Sequence, residues 1–292
     1  FAVDAPRPGK PEEAAQVARI RELAGLVDWP CELKTLFNEV NKGVKYGPWN
    51  AMKWFFDQEE EGIILEDDCL PHPTWFRFAE DLLEHHRHDQ RIWATIGNNL
   101  MDEWMPANDD SYYYTAHGYG AYWGWASWRR TWERYDLDMK DWPELRKSGL
   151  LDDHCLSNNE RIEANAIFES SWSGHIVGWD FQFDYSRTIN GAMNIIPNVN
   201  LIRNIGFGND GTNTLSGLDP RNKDGRQAMG FPLKHPKFFL VDRDRDLAYF
   251  SKYIEPSRLR KFKDLIKSLL PAEVDKAVTP FLGKLQRKLG LH

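Results

Sequence analysis

Residues 61–76 read EGIILEDDCLPHPTWF, with three adjacent carboxylates directly after a short apolar run. The run Ile63, Ile64 and Leu65 is typical of a buried strand. Residues 66–68 are Glu, Asp and Asp, and they follow that predicted strand at its carboxyl end. Because adjacent negative groups repel one another, folding alone gives little reason to place them together. The cluster therefore indicates a binding role.

Predicted strands and helices alternate on both sides of this stretch. The strands are FAV (1–3), CELKTLF (31–37), GIIL (62–65) and RIWATIG (91–97), and the helices are 12–27, 48–58 and 74–87, with Pro48 at the start of the second and Thr74 capping the third. This alternation predicts an α/β domain whose mixed, mostly parallel sheet is flanked by helices. Ligands of such sheets bind outside the carboxyl ends of the strands.

The composition is that of an ordinary soluble globular chain of 292 residues, with 41% hydrophobic and 28% charged residues. The net charge is −7, which argues against a nucleic-acid-binding protein. The three cysteines form no C-x-x-C pair, so neither a disulfide framework nor a zinc site is predicted. Sparse cysteine favours a reducing compartment, and we expect a cytoplasmic protein.

The end of the chain differs in charge from the rest. Residues 251–292 hold ten Lys and Arg against four Asp and Glu, a local net charge of +6. Two apolar stripes at helical spacing predict two basic amphipathic helices there. Such helices could contact the inner face of an anionic membrane, or they could pack on the domain with their lysines in solvent. We therefore expect a main domain over 1–240 and a helical tail over 241–292.

Two further stretches could carry chemistry. Asp180 lies between aromatic residues in GWDFQF, which would desolvate its carboxylate and suit a general base; it could equally be a carboxylate at a helix start. Residues 112–132 contain four Trp and five Tyr. These rings could stack on sugars, or Trp125, Trp128 and Trp132 could form one buried helical face.

A hard divalent cation fits the carboxylates of residues 66–68, since Mg²⁺ and Mn²⁺ prefer oxygen ligands and keep open positions for phosphate oxygens. A solvated loop is the alternative.

The order of these motifs resembles that of the metal-dependent GT-A glycosyltransferases. The chain looks closest to a bacterial family of hemolysin-like nucleotide-diphospho-sugar transferases, and more distantly it is similar to the N-acetylglucosaminyltransferase that initiates complex N-glycans. The stretches that carry the resemblance are VDAPR, NEVNKG, EGIILEDDCLPHPTWF, YGAYWGW, WDFQF and IIPNVNLIRNIGFGNDGTNT. The resemblance implies a GT-A (Rossmann-like) fold with C-terminal amphipathic helices. GT-A domains begin with a strand and helix upstream of Asp4, so an upstream element is expected to be missing from this chain.

The resemblance also implies roles for individual residues. Asp180 would be the catalytic base, and Asp68 would bind Mn²⁺ or Mg²⁺. The residues implied in binding the nucleotide sugar are Asp4, Arg7, Asn41, Glu66, Asp67, Trp123, Gly124 and Trp125. The implied activity is inverting transfer of a hexosyl or N-acetylhexosaminyl group from a UDP-sugar to a glycan or lipid-linked glycan. An inactive GT-A-like glycan-binding module is the alternative, whereas adjacent carboxylates disfavour a glycosidase.

Overall fold

The computed structural model describes residues 1–104, 108–118, 122–207, 221–222 and 225–255. Its strands are β1 (Ala2–Val3), β2 (Leu36–Phe37), β3 (Glu61–Ile64), β4 (Cys69–Pro71), β5 (Ile92–Ile96), β6 (Tyr112–Thr115), β7 (Trp125–Trp128), β8 (Met193–Pro197) and β9 (Ile202–Asn204). Its helices are α1 (Glu12–Glu22), α2 (Gly43–Phe56), α3 (Thr74–His85), α4 (Arg129–Trp132), α5 (Trp142–Ser148), α6 (Leu150–His154), α7 (Asn158–Trp172), α8 (Asp180–Ile189) and α9 (Arg243–Tyr249). A 3₁₀ turn follows α1 (Leu23–Leu26), and a π turn follows α9 (Phe250–Ile254).

The central sheet has five strands in the order β3-β7-β5-β8-β6. Strands β5 and β8 pair in parallel, and the other neighbours pair antiparallel. Strands β3, β5 and β8 therefore run in one direction, with β7 and β6 opposed to them. The predicted mixed α/β sheet is confirmed, although only one adjacent pair in this sheet is parallel. Strands β1 and β2 form a separate parallel pair, and β4 pairs antiparallel with β9.

Helices cover both faces of the central sheet. Helix α3 presents Trp75, Phe78 and Leu82, all fully buried, to a core cluster that contains Ile195. Helix α8 presents Phe183 to a second cluster that contains Trp125. Neighbouring strand residues divide between the clusters, as the period of two along a strand requires. Helix α8 thereby runs along one face of the sheet.

Helix starts differ from the sequence prediction at two places. Helix α2 begins at Gly43, five residues before Pro48, which lies inside the helix. The reason is that the Asp4 carboxylate accepts hydrogen bonds from the backbone N–H groups of Lys42 and Gly43, and these groups have no partner within the helix. Thr74 is the first residue of α3 rather than its cap, and its hydroxyl meets the His72 ring.

The end of the main domain also differs from the prediction. The first compact unit runs from Phe1 to Tyr253 and the second from Ile254 onward. Helix α9, which the sequence assigned to the tail, belongs to the first unit: Asp246 accepts a 2.6 Å hydrogen bond from the Thr115 hydroxyl of β6. Residues 256–292, with the predicted amphipathic helices, lie outside the described residues. No helix in the described part of the chain is long and apolar enough to cross a bilayer.

Candidate active site

Strand β3 ends at Ile64, and the three carboxylates follow within four residues, as the sequence predicted. Glu66 and Asp68 are half-buried, and Asp67 is exposed. Strands β3, β5 and β8 all end at this edge of the sheet because they share one direction. The acidic cluster therefore lies at the edge where sheets of this kind bind ligands.

Strand β9 holds the last of these carboxylates. Asn204 Nδ2 donates a 2.9 Å hydrogen bond to Asp68 Oδ2, and the Ile205 N–H donates a 2.8 Å bond to the Asp68 carbonyl. Gly206 lies so close that a Cβ at this position would be 2.7 Å from Asp68 Oδ2. The backbone and side chain of Asp68 are thus both fixed by a segment more than 130 residues away in sequence.

Repulsion and burial act together on Glu66. Desolvation, and then the negative charges of Asp68, Asp180 and Asp67, raise the pKa of Glu66 to about 8. Glu66 therefore keeps its proton at neutral pH. The presence of Asp180 in this set means that the strand-end carboxylates and the predicted base lie close enough to interact.

Asp180 is the first residue of α8, at the point where the chain leaves the buried Trp179. Burial raises the pKa of Asp180, whereas the backbone N–H groups of Asp180 and Phe181 and the charge of Arg221 lower it. Burial is the largest of these effects, so the carboxylate is more basic than a free aspartate. The Tyr135 hydroxyl donates to the Trp179 carbonyl beside it. Asp180 thus lies at a helix start, and its role as the catalytic base stays a prediction.

The aromatic block divides between the core and the site edge. Trp125 is fully buried in β7, where its ring stacks on Trp179 at 5.7 Å, and its predicted contact with the nucleotide sugar stays a prediction. Trp125 and Trp128 belong to a strand rather than to a helical face. Trp123 is half-buried, and its ring packs edge-on against that of Phe207 with the centroids 5.4 Å apart. Part of its side chain therefore stays exposed at the site.

Gly124 has φ +60°, and a Cβ there would lie 2.7 Å from Ile202 Cδ1. This position thus needs glycine because two strands approach closely, and its predicted contact with the nucleotide sugar stays a prediction. Residues 119–121 of the same block lie outside the described part of the chain.

Asp4, Arg7 and Asn41 are three of the residues implied in binding the nucleotide sugar. Asp4 accepts from Asn38 Nδ2 at 3.0 Å as well as from the start of α2. Asn41 Nδ2 donates a 2.6 Å bond to the Ala5 carbonyl, and exposed Arg7 forms an ion pair with Glu13. Each side chain thus has a structural partner, and the nucleotide contacts stay predictions.

A polar cavity lies between the sheet and α9. Its polar lining residues are Asn98, Tyr113, Thr115, Asn194, Asp246 and Tyr249. Burial raises the pKa of Asp246 to about 6. Burial raises the pKa of both Asp180 and Tyr249, and the charge of Arg221 offsets part of the rise in each.

Neither the protein-family models nor the curated proteins with which the chain was compared gave a match. Functional assignment therefore rests on the site itself and on the sequence motifs.

The carboxylates of residues 66–68 fit a divalent cation whose other coordination positions are filled by a bound phosphate compound and by water. Within the described residues no three His, Cys, Asp or Glu side chains are grouped closely enough to hold a metal by themselves. Mg²⁺-type ions in phosphate sites use one or two carboxylates, with the remaining positions taken by phosphate oxygens and water. Asp68, with exposed Asp67 beside it, provides that donor set. Burial and then the charges of its neighbours raise the pKa of Glu66, and a cation would offset those charges.

Sequence reasoning missed Asn204, Gly206 and Arg221. The first two lie in RNIGFG, a Gly- and Asn-rich stretch that was recognisable as unusual. Their relation to Asp68 depends on the pairing of β4 with β9, which no local pattern reveals.

Proposed function

We propose that the protein is a metal-dependent, inverting GT-A glycosyltransferase that moves a hexosyl or N-acetylhexosaminyl group from a UDP-sugar to a hydroxyl of a glycan or lipid-linked glycan. The observation that carries this proposal is the geometry of Asp68, which follows β3 at the edge where β3, β5 and β8 end and is fixed there by the Asn204 amide and the Ile205 N–H. The charge of Asp180 contributes to the raised pKa of Glu66, which supports an aspartate more than 110 residues away as part of the same site. Leaving-group binding and base catalysis then have adjacent residues to perform them.

In the proposed reaction Asp180 accepts the proton of the acceptor hydroxyl while the hydroxyl oxygen forms its bond to the anomeric carbon. The bond from that carbon to the diphosphate oxygen breaks, and its electron pair leaves with the nucleoside diphosphate. Attack from the face opposite the leaving group inverts the anomeric centre. The raised pKa of Asp180 makes it a stronger base than free aspartate.

Asp68 would hold Mn²⁺ or Mg²⁺, with Asp67 and Glu66 on the nucleotide sugar. The bound ion would supply positive charge that offsets the charge developing on the leaving diphosphate. The polar cavity between the sheet and α9 favours a polyhydroxylated acceptor. A cytoplasmic location and contact of the basic tail with the inner face of a membrane stay predictions.

A glycan-binding module without activity is less well supported. Such a module would present its aromatic rings to solvent, whereas Trp125 and Trp128 are buried.

The test is binding and turnover of nucleotide sugars with and without Mn²⁺. We expect UDP to bind with Mn²⁺ in isothermal calorimetry, Asp68→Asn to weaken that binding at least tenfold, and a UDP-sugar to be consumed only with the metal. Asp57→Asn is the matched control, since Asp57 is an exposed carboxylate paired with Lys53 on α2. Equal UDP affinity in the wild type and Asp68→Asn, with Mn²⁺ present, would refute the proposal.

A further inference from the structure

The Asp68 carboxylate is held by a small set of contacts from the end of β9. The β4–β9 ladder pairs Cys69 with Asn204, and it is extended by the bond from the Ile205 N–H to the Asp68 carbonyl. The backbone of Asp68 is therefore part of a two-stranded ladder rather than of a free loop. Its side chain leaves the ladder next to Asn204.

The Asn204 side chain can only be oriented one way. Its Oδ1 accepts a 2.8 Å hydrogen bond from the Gly206 N–H, and its Nδ2 donates 2.9 Å to Asp68 Oδ2. A backbone N–H can only donate, so the amide oxygen must face Gly206 and the amide nitrogen must face the carboxylate. Asn204 is 4% exposed, which also holds the amide in place.

Gly206 supplies the space for this arrangement. A Cβ at residue 206 would lie 2.7 Å from Asp68 Oδ2, 3.0 Å from Asp68 Cβ and 3.2 Å from Asn204 Oδ1. Any larger residue would have to displace the carboxylate or the amide. The chain therefore approaches Asp68 as closely as only glycine allows.

We propose that Asn204 and Gly206 are positioning residues that fix the orientation of the Asp68 carboxylate for a divalent cation. This inference rests on the proposed function, in which Asp68 is the metal ligand. Because Asp68 is the principal protein ligand in that proposal, the affinity for the cation depends strongly on the direction of its carboxylate. Partners behind a metal ligand typically account for 10- to 100-fold in metal affinity.

The experiment measures Mn²⁺ binding in the presence of UDP, by the electron paramagnetic resonance signal of free Mn²⁺, with no turnover required. We expect Asn204→Ala to raise the apparent dissociation constant of Mn²⁺ by 10- to 100-fold. The matched control is Asn200→Ala. Asn200 is 3% exposed and also makes two amide hydrogen bonds, to the Asn99 N–H and the Gly225 carbonyl. A loss caused by general loosening of the fold would appear in both variants.

If Asn204→Ala fails to fold, Gly206→Ala tests the same inference while leaving the buried Asn204 amide in place. We expect it to weaken Mn²⁺ binding by at least tenfold. Gly230→Ala is its control, since a Cβ there meets nothing within 4 Å. The inference would be overturned by unchanged Mn²⁺ affinity in Gly206→Ala, or by equal losses of Mn²⁺ affinity in Asn204→Ala and Asn200→Ala. The proposed function would survive either result if Asp68→Asn still lost Mn²⁺ binding. If Asp68→Asn bound Mn²⁺ as the wild type does, the proposed function would fail, and this inference with it.

Discussion

Two aspartates one turn apart on α8 have opposite surroundings. Asp184 is fully buried, and its Oδ1 accepts from the Tyr122 hydroxyl at 2.7 Å and from Arg187 Nε at 3.2 Å. Asp180 is half-buried at the helix start, near enough to Glu66 to raise its pKa. The charge of Asp184 is compensated by a cation on its own helix, which is typical of a structural ion pair. Asp180 instead adds charge to a cluster that is already too negative, which folding does not explain.

The largest expected effect belongs to Asp180. Asp180→Asn should reduce glycosyl transfer by about 10²–10⁴, the usual contribution of a general base, while UDP–Mn²⁺ affinity is retained. Transfer is measured once a donor and acceptor are known. Asp244→Asn, an exposed carboxylate in the first turn of α9, controls for the helix-dipole role and should keep full activity. A variant Asp180→Asn with more than roughly a tenth of wild-type transfer would show that Asp180 is not the base.

Replacing Asp184 by Asn, one turn further along α8, should lower the free energy of unfolding instead. Asp184→Asn leaves the buried Arg187 without its compensating charge, and breaking a buried pair costs on the order of 3 kcal/mol. Urea unfolding measures this loss. Asp180→Asn, assayed in parallel, should lose less than about 1 kcal/mol, as expected for a charge near a helix start. Equal losses in the two variants would remove the distinction between them.

The sequence predicted this contrast only in part. The strand before residues 66–68 and the helix that begins at Asp180 could be recognised, because apolar runs and periodicity are local signals. The pairing of Asp184 with Tyr122 could not, since it joins residues 62 positions apart. The burial of Trp125 could not be predicted either, because tryptophan suits both a ligand surface and a core, and only the sheet decides which face it occupies. Asn204 was missed for the same reason, as its role depends on β9 reaching Asp68.

Glu66 should make stability depend on pH. The folded protein holds the Glu66 proton to about pH 8, whereas an ordinary glutamate loses it near 4.5. Between these values the folded state binds more protons than the unfolded state, so stability falls as pH rises. Glu66→Gln lacks this pH-dependent contribution. In metal-free buffer its free energy of unfolding should exceed that of the wild type by about 1–3 kcal/mol at pH 8.5 and equal it near pH 4.

The check is urea unfolding across that pH range, with Glu80→Gln on the exposed side of α3 as the control. Parallel pH profiles for the wild type and Glu66→Gln would show that Glu66 ionises normally. The cluster would then lack the excess charge that distinguishes it from the Asp184 pair.

The smallest expected effect concerns Asp4, a carboxylate whose oxygens, like that of Asp184, already have hydrogen-bond partners. Its two oxygens accept from the N–H groups of Ala5, Lys42 and Gly43 and from the Asn38 amide. Asp4→Asn keeps one acceptor oxygen, so we expect a loss of about 1 kcal/mol, as for a weakened helix cap. Because these oxygens already have partners, Asp4→Asn should change the UDP–Mn²⁺ affinity less than about threefold, measured well below the unfolding temperature. A tenfold change would correspond to about 1.4 kcal/mol. A tenfold or greater loss would instead assign Asp4 to the nucleotide base, as the sequence resemblance implies, and would place a binding carboxylate among partners that otherwise indicate a structural one.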